Sequence, residues 1–455
     1  MSVLLSSKFL PWIVVVLAVA ITVFVKYPQP EMDWEGQIYP AAQRYMEEYY
    51  RLAAAANSNN VSDDGTSGDE ENTRSIVNVD PKYPLKGLVV AITGPTAGIG
   101  LALTRRLYKM GAHIIAIGRS STKLQKLQDE LMSDEDSSAG KISTVIADLS
   151  DLESVAKAST TILDTYDYID ILVNNAGVQT FPHGLVTIEQ TKQGYDQVFG
   201  VNYLAHFLLT EKIKPLLGKS PGGGRGKIIQ ISSSYHGSVT GSDLIVSSTD
   251  PSSQQPIASI PGGHHGFFFF RCQRQYANSK FAQVLHMRAL NRENRLPTNV
   301  RAVSICPTWV GSDILGQQGS TSNSLLSIMA FPVDGYGLSS IFTAMFYNST
   351  NTDTTTTPTA GNEDGGNTSP KSDIDDYFVN TYLTKLYSDP PYPSWLSTAI
   401  PFMDMYATIA AFGYMMPFQR FTAWTGPIKS NYFTYDVDLQ ESLYEWSLQA
   451  VSSWL

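Results

Sequence analysis

The sequence predicts an α/β fold, a doubly wound parallel sheet in a single domain, between residues 82 and 348. Three observations carry that prediction. Short runs rich in β-branched residues alternate with stretches of helical length and composition. A glycine turn, Thr93-Gly94-Pro95-Thr96-Ala97-Gly98-Ile99-Gly100, joins the first such run to the first helix. Polar side chains suited to chemistry stand where later runs end, which is the ligand-binding edge of such a sheet.

Each element has its own justification. Residues 87–93 form a short, nearly all-apolar run, fit for a strand buried on both faces. A helix is expected over 99–110, a strand over 113–117 and a helix over 121–131. Further strands are expected over 143–147, 169–173, 227–231 and 300–305, with helices over 152–163, 190–217 and 276–291. Repeated βα units of this length imply a sheet covered on both faces and wound right-handed. Two stretches interrupt the pattern. Residues 238–270 are rich in Ser, Pro and Gly and end in four phenylalanines, costly to expose unless buried or against a membrane. Residues 349–373 are rich in Thr, Asn, Gly and Asp and read as a flexible surface insertion. Beyond them, 395–418 is apolar except for Asp404. It reads equally as a membrane-contacting hairpin, a flap over a substrate pocket, or an extra helix on the core.

The N-terminal part is of another kind. Residues 9–25 are uncharged and apolar between Lys8 and Lys26. As a helix they span about 25 Å, enough for a bilayer. An uncleaved anchor is favoured over a signal peptide, because the small-residue site Ala18-Val19-Ala20 would cut inside the run. The two lysines nearly balance, so no orientation follows. Residues 33–56 are partly helical and read as a juxtamembrane helix or a spacer; 57–74 are polar and acidic, as in a disordered linker. The expected organisation is an anchor at 1–26, a juxtamembrane segment and linker at 27–81, the α/β domain at 82–348, an insertion at 349–429 and a closing element at 430–455.

A formal net charge of −10, without a basic stripe, argues against a nucleic-acid partner. Two cysteines, Cys272 and Cys306, exclude a disulfide framework. No metal site is read. Asn60, Asn348 and Asn367 lie in Asn-x-Ser/Thr triplets, and glycans there would place the domain in a lumen.

The strand ends carry the candidate chemistry. The glycine spacing lets the backbone approach a pyrophosphate at a helix N-terminus. Arg119, in Gly118-Arg119-Ser120, stands where an acid holds ribose hydroxyls in NAD sites; an Arg can pair with a 2′-phosphate instead, which favours NADP(H) over NAD(H). Asp148-Leu149 could receive an adenine amino group, or Asp148 could cap a helix. Asn174-Asn175-Ala176-Gly177 could tie strands together and shape the cofactor pocket. Asn202 is a poor helix former inside a long helix, which suggests a kink that exposes a carbonyl to water; His206 reads as packing. Ser232, Ser233 and Ser234 end the fifth strand, and composition does not choose among them. Tyr276 and Lys280, four apart, share a helical face, where an ammonium beside a phenol lowers the phenol pKa.

Together these residues resemble the short-chain dehydrogenase/reductase family. The matching motifs are Thr93, Gly94, Gly98 and Gly100; Asn174-Asn175-Ala176-Gly177; Asn202; Ser233; Tyr276 with Lys280; and Pro307-Thr308-Trp309-Val310-Gly311-Ser312, where Thr308 replaces a glycine. The stretch from Gln197 to Thr210 is similar to the retinol-dehydrogenase-like and protochlorophyllide-reductase-like branches. The resemblance implies a Rossmann-type sheet and a catalytic set of Asn202, Ser233, Tyr276 and Lys280. Tyr276 would be the acid/base, Lys280 would lower its pKa and hold the nicotinamide ribose, Ser233 would polarise the carbonyl, and Asn202 would hold a relay water. Thr93, Gly94, Gly98, Ile99, Gly100, Arg119, Asp148, Leu149, Asn175, Ala176, Gly177, Pro307 and Val310 would line the cofactor with Tyr276 and Lys280. The expected activity is NADP(H)-dependent hydride transfer with a retinoid, steroid or lipid-like alcohol or carbonyl, at an endoplasmic reticulum membrane. A homodimer is admitted. The rival readings are a tetrapyrrole reductase and a non-catalytic NADP-binding scaffold.

Overall fold

The computed structural model describes residues 34–58, 79–133, 140–180, 188–220, 225–246, 255–263, 268–292, 294–307, 310, 333, 337–346, 377–381, 423–428, 430 and 432–455. Outside them lie the apolar run 9–25, residues 59–74 of the acidic linker, the 349–373 insertion, the 395–418 stretch, Thr308, and Asn60, Asn348 and Asn367. Among the described residues, no helix is long and apolar enough to cross a membrane.

The chain begins with a π-helical turn at Trp34–Ile38 and helix α1 (Tyr39–Ser58). Strand β1 (Val89–Thr93) leads through the glycine turn to α2 (Gly98–Lys109). Then come β2 (His113–Gly118), α3 (Ser121–Met132), β3 (Lys141–Ile146), α4 (Leu152–Thr165) and β4 (Ile171–Asn174). A composite helix, α5, follows: Gln197–Phe199, a π-helical stretch at Gly200–Leu204, then Ala205–Ile213. After it come β5 (Gly226–Ile231), the long α6 (Phe268–Leu290), β6 (Val300–Cys306) and α7 (Leu338–Phe346). Strands β7 (Tyr377–Thr381) and β8 (Ala423–Ile428) precede α8 (Val437–Val451). Short carboxylates and hydroxyls set helix starts: Ser120 accepts from Lys123 N–H, Asp151 from Glu153 N–H, and Asp196 from both Val198 and Phe199 N–H.

The sheet order is β3-β2-β1-β4-β5-β6-β7-β8. The first seven strands in that order are parallel, and β8 is antiparallel to β7. The chain therefore winds outward from β1 in both directions, and a crevice opens between the C-terminal ends of β1 and β4. Strand alternation feeds two cores. Val89, Ala91 and Leu172 face one, with α4, α5, α6 and α8. Val90, Ile92, Ile171 and Val173 face the other, with α1, α2, α3 and α7.

Four expectations change. Residues 33–56 are no mere spacer: Ile38, Ala42, Tyr45, Met46 and Tyr49 form a helical stripe in the second core. The 349–429 stretch is not wholly a surface addition, since β7 and β8 complete the sheet. The helix expected over 190–217 starts only at Gln197, because Gln190 pairs with Asp196 and a tight turn lies between them. The helix bearing Tyr276 begins two turns earlier than expected, at Phe268.

The N-terminal edge of the sheet is closed by the chain itself. Buried Asp170 accepts from Tyr49 Oη (3.0 Å), Ser220 Oγ (2.6 Å) and Val89 N–H (2.8 Å). Burial raises its carboxyl pKa. Lys227 Nζ donates to the carbonyls of Ala344 and Met345 at the end of α7, and burial lowers its pKa to about 7. The closing element expected at 430–455 packs on the first core: Tyr203 Oη and Ser447 Oγ are 2.7 Å apart, and Tyr444 Oη donates to Glu211.

Candidate active site

The opposite edge is built around the end of β1. Gly94 and Gly98 have φ of +67° and +51°, values that glycine adopts without strain. Gly100 has a second reason to be glycine: a Cβ there would stand 2.1 Å from the Gly94 carbonyl oxygen and 2.5 Å from Asn175 Nδ2. Asn175 Nδ2 donates to the carbonyls of Thr93 and Gly94, which holds the turn against β4. Asn174 Nδ2 donates to Thr210, tying β4 to α5. The turn is thus a cradle of close backbone at the start of α2, as a pyrophosphate requires. Ile99 packs against Val310, which places Val310 beside the start of α2.

Thr93 does not offer its hydroxyl to a ligand. Its Oγ1 accepts from Asn175 N–H (2.9 Å) and Ala176 N–H (3.0 Å). With both lone pairs used, its hydrogen goes to His206 Nε2, 2.9 Å away. His206 therefore carries its proton on Nδ1, which donates to the Asn202 carbonyl at 2.9 Å. Burial lowers the His206 pKa to about 4, so the ring stays neutral. The sequence reads His206 as packing. In the structure it links the glycine turn to the Asn202 helix.

Asn202 lies in the π-helical stretch, as the expected kink requires, but its carbonyl is not open to water. It accepts from His206 Nδ1 and from Gln283 Nε2 (2.8 Å), which uses both lone pairs. The side chain is equally engaged. Oδ1 accepts from Val178 N–H, and Nδ2 donates to Val178 O and Ser279 Oγ. Asn202 thereby fixes the chain after Gly177 and the fourth turn of α6 in one stroke.

On α6, Lys280 Nζ stands 5.5 Å from the Tyr276 ring centroid. Lys280 is 2% exposed and donates to the Ile231 carbonyl at 2.7 Å. Its other two hydrogens have no partner among the described residues, and a Cβ on Gly177 would lie 3.5 Å from Nζ. Burial lowers the Lys280 pKa to about 7. The expectation that Lys280 depresses the Tyr276 pKa is not met here. Burial raises that pKa, Cys306 raises it further, and a hydrogen bond with Ser233 works the other way. The reason is that both partners are desolvated and the ammonium is itself weakened. Ser233 Oγ accepts from Tyr235 N–H at 3.3 Å, so its hydrogen is left to donate toward Tyr276 or a ligand oxygen. That separates Ser233 from Ser232, whose hydroxyl is tied to the Lys280 carbonyl.

Two acids that sequence reasoning missed hold this helix in place. Asp243 accepts from Arg274 Nε and Nη2 and from Asn278 Nδ2. Asp196 accepts from Gln275 Nε2. They bracket Tyr276 on both sides, and only their distance in sequence hid them.

Arg119 and Asp148 lie along the crevice. Pro95 of the turn is close over Gly118, which sets Arg119 beside the cradle; Arg119 is exposed and has no ion pair among the described residues. Asp148 Oδ1 accepts from Ser150 N–H and Oγ, so that oxygen serves the turn before α4. Leu149 packs at the rim of the first core.

Residues 88–245 match the family model described as short chain dehydrogenase. The matched stretch contains the glycine cradle, Asn202 and Ser233. Residues 88–245 are those of a short-chain dehydrogenase/reductase. The chain is 30% identical to human polyprenol dehydrogenase over 164 residues, 35% of this chain and 46% of that one. It is 32% identical to human retinol dehydrogenase 13 over 155 residues, 34% and 44% of the two chains. These place it in the retinol-dehydrogenase-like branch. An uncharacterized oxidoreductase of Schizosaccharomyces pombe is 29% identical over 54% of this chain and 67% of that one. The chain thus spans less than half the length of the two human relatives. A metagenomic short-chain oxidoreductase in complex with NADP superposes with a TM-score of 0.38 at 24% identity, covering 58% of this chain and 94% of that one; a likeness at that score decides nothing about the cofactor here.

Proposed function

We infer that this short-chain dehydrogenase/reductase is an NADP(H)-dependent enzyme that interconverts a hydrophobic alcohol and its carbonyl. The observation that carries the reading is the meeting of Ser233, Tyr276 and Lys280 beside the glycine cradle. Two findings speak for a nicotinamide nucleotide fitting there: a glycine turn packed so closely on the start of α2 that a Cβ at Gly100 would meet the Gly94 carbonyl oxygen at 2.1 Å, and a buried Lys280 with two hydrogens that have no partner among the described residues. Gly94, Gly98 and Gly100 would hold the pyrophosphate and Lys280 the nicotinamide ribose. Arg119 supports the choice of NADP(H), since its exposed guanidinium, with no ion pair among the described residues, suits a 2′-phosphate. When bound, the nucleotide supplies the hydride.

The residues supply the proton chemistry. Tyr276, protonated because it is buried, donates its phenolic hydrogen to a substrate oxygen in reduction and receives one in oxidation. Ser233, oriented by Tyr235 N–H, donates to that same oxygen and polarises the carbonyl. Lys280 gains charge as its free hydrogens find acceptors, and so eases proton loss from Tyr276. Asn202 acts by position, through Val178 and Ser279. Relatives named for polyprenol and retinol, both long apolar alcohols, support a lipophilic substrate. The apolar run at 9–25 supports membrane attachment, proposed at the endoplasmic reticulum. No feature of the site favours the tetrapyrrole or scaffold alternative.

The test is a fluorescence titration of the full chain in detergent with NADPH and with NADH. NADPH should bind at least about tenfold tighter, and Arg119→Ala should remove the difference. Equal binding in both proteins would refute the NADP(H) assignment; binding of neither would refute the enzyme reading.

A further inference from the structure

Beyond Tyr276, away from Lys280, the same helical face continues to Gln273. The three residues are spaced i, i+3 and i+7, so they form one line along α6. Lys280 marks the ribose end of that line and Tyr276 the reacting carbon, an assignment that rests on the function proposed above. Gln273 then stands one turn further, on the side where the rest of a substrate must lie. It is 9% exposed, yet its amide is poorly satisfied. Its Oε1 accepts only from Gln179 Nε2, at 3.4 Å, and its Nε2 has no partner among the described residues. Gln179 stands two residues beyond Gly177, in the segment that Asn202 fixes through Val178. Its Oε1 likewise has no partner among the described residues. A bond of 3.4 Å is long for N–H···O, so little is lost when the pair opens. The pair leaves one donor and one acceptor free side by side. Flipping both amides exchanges their roles and leaves the same set.

We propose that Gln179 and Gln273 form a polar subsite that recognises a second hydroxyl on the substrate. A hydroxyl is the group that satisfies a free donor and a free acceptor at once. One helical turn between Tyr276 and Gln273 sets its place at roughly 5 Å from the reacting carbon, about four bonds along an extended chain. The substrate class is therefore an apolar chain with a 1,5-related pair of oxygens, rather than a simple long-chain alcohol. An apolar analogue that lacks the hydroxyl strips water from the two amides and leaves them unpaired, so the site disfavours it.

The test uses 1,5-decanediol against 1-decanol, as binding to the full-length Tyr276→Phe protein with NADPH, read by intrinsic fluorescence. The diol should bind about tenfold tighter, and Gln273→Leu or Gln179→Leu should each remove that preference while leaving 1-decanol unchanged. Two variants on separate elements guard against a local misfold in either. Equal affinity for the two alcohols, or a preference that survives both substitutions, overturns the subsite and leaves the amides a structural pair. Turnover is measured separately with the wild-type chain and NADP+. A diol preference in binding without oxidation of either alcohol would refute the acid/base role of Tyr276 and leave the subsite standing.

Discussion

The two edges of the sheet are made of similar materials and put to opposite uses. Each carries a buried cation and buried hydroxyls. At the N-terminal edge most of them are committed inside the chain, the Tyr45 hydroxyl being an exception: Asp170 receives Tyr49, Ser220 and Val89, and Lys227 closes the end of α7. At the C-terminal edge Lys280 keeps two free hydrogens and Gln273 a free amide, while Ser233 has its hydrogen in reserve. Burying polar groups costs stability unless they are hydrogen-bonded. The first edge therefore contributes to stability, and the second holds an unmet demand that a ligand can satisfy. Both lysines have pKa values lowered by burial to about 7, so a perturbed pKa alone would not have told the edges apart. Partner count does.

Substitutions should separate the edges. The largest effect is expected at Tyr276→Phe, which removes the acid/base hydroxyl. Turnover should fall by at least about a thousandfold with the melting temperature nearly unchanged. Turnover of the variant within tenfold of wild type would contradict the acid/base role. Next is Asp170→Ala, which strands three donors. It should lower unfolding stability by about 3 kcal/mol in urea titrations, with nucleotide affinity retained. A loss of nucleotide binding without loss of stability would show that the two edges are not independent. Tyr49→Phe removes one of those donors and should cost about 1 kcal/mol. That smaller figure also asks whether α1 belongs to the folded domain, because a helix outside it would leave stability unmoved.

Much of this was legible in the sequence, and the gaps have physical causes. Strands β1 to β6 were readable because each is a compact apolar run. The glycine turn was readable because three backbone positions exclude a side chain. Helix α1 was obscured by its composition: its stripe uses Ala42, Tyr45 and Tyr49 among glutamates, so it did not stand out as apolar. Strand β8 carries Gly426 and Pro427, poor strand formers, and is held by its antiparallel pairing with β7. At the site, Ser233, Tyr276 and Lys280 were readable from spacing and from the family resemblance. The bonds of His206 were not, since Thr93 is 113 residues away. Nor was the capped Asn202 carbonyl, which needs Gln283 from another helix.

The smallest predicted effect tests the least legible contact. In the unfolded chain His206 takes up a proton near pH 6.5. In the fold it does so only near pH 4, because burial disfavours the imidazolium. Between those values the unfolded state binds more protons, so stability rises with pH across the window. The contribution is complete above about pH 6.5 and is lost as pH falls toward 4. His236 and His286 are lowered in the same direction, so they steepen the same slope. His206→Asn removes one titrating group and should flatten that slope by about one proton, on the order of 1 kcal/mol per pH unit. Urea midpoints at pH 4.5, 5.5 and 6.5 would measure it. An unchanged slope in the variant would mean that His206 is protonated as readily in the fold as outside it, and that Thr93 and Asn202 do not hold it neutral.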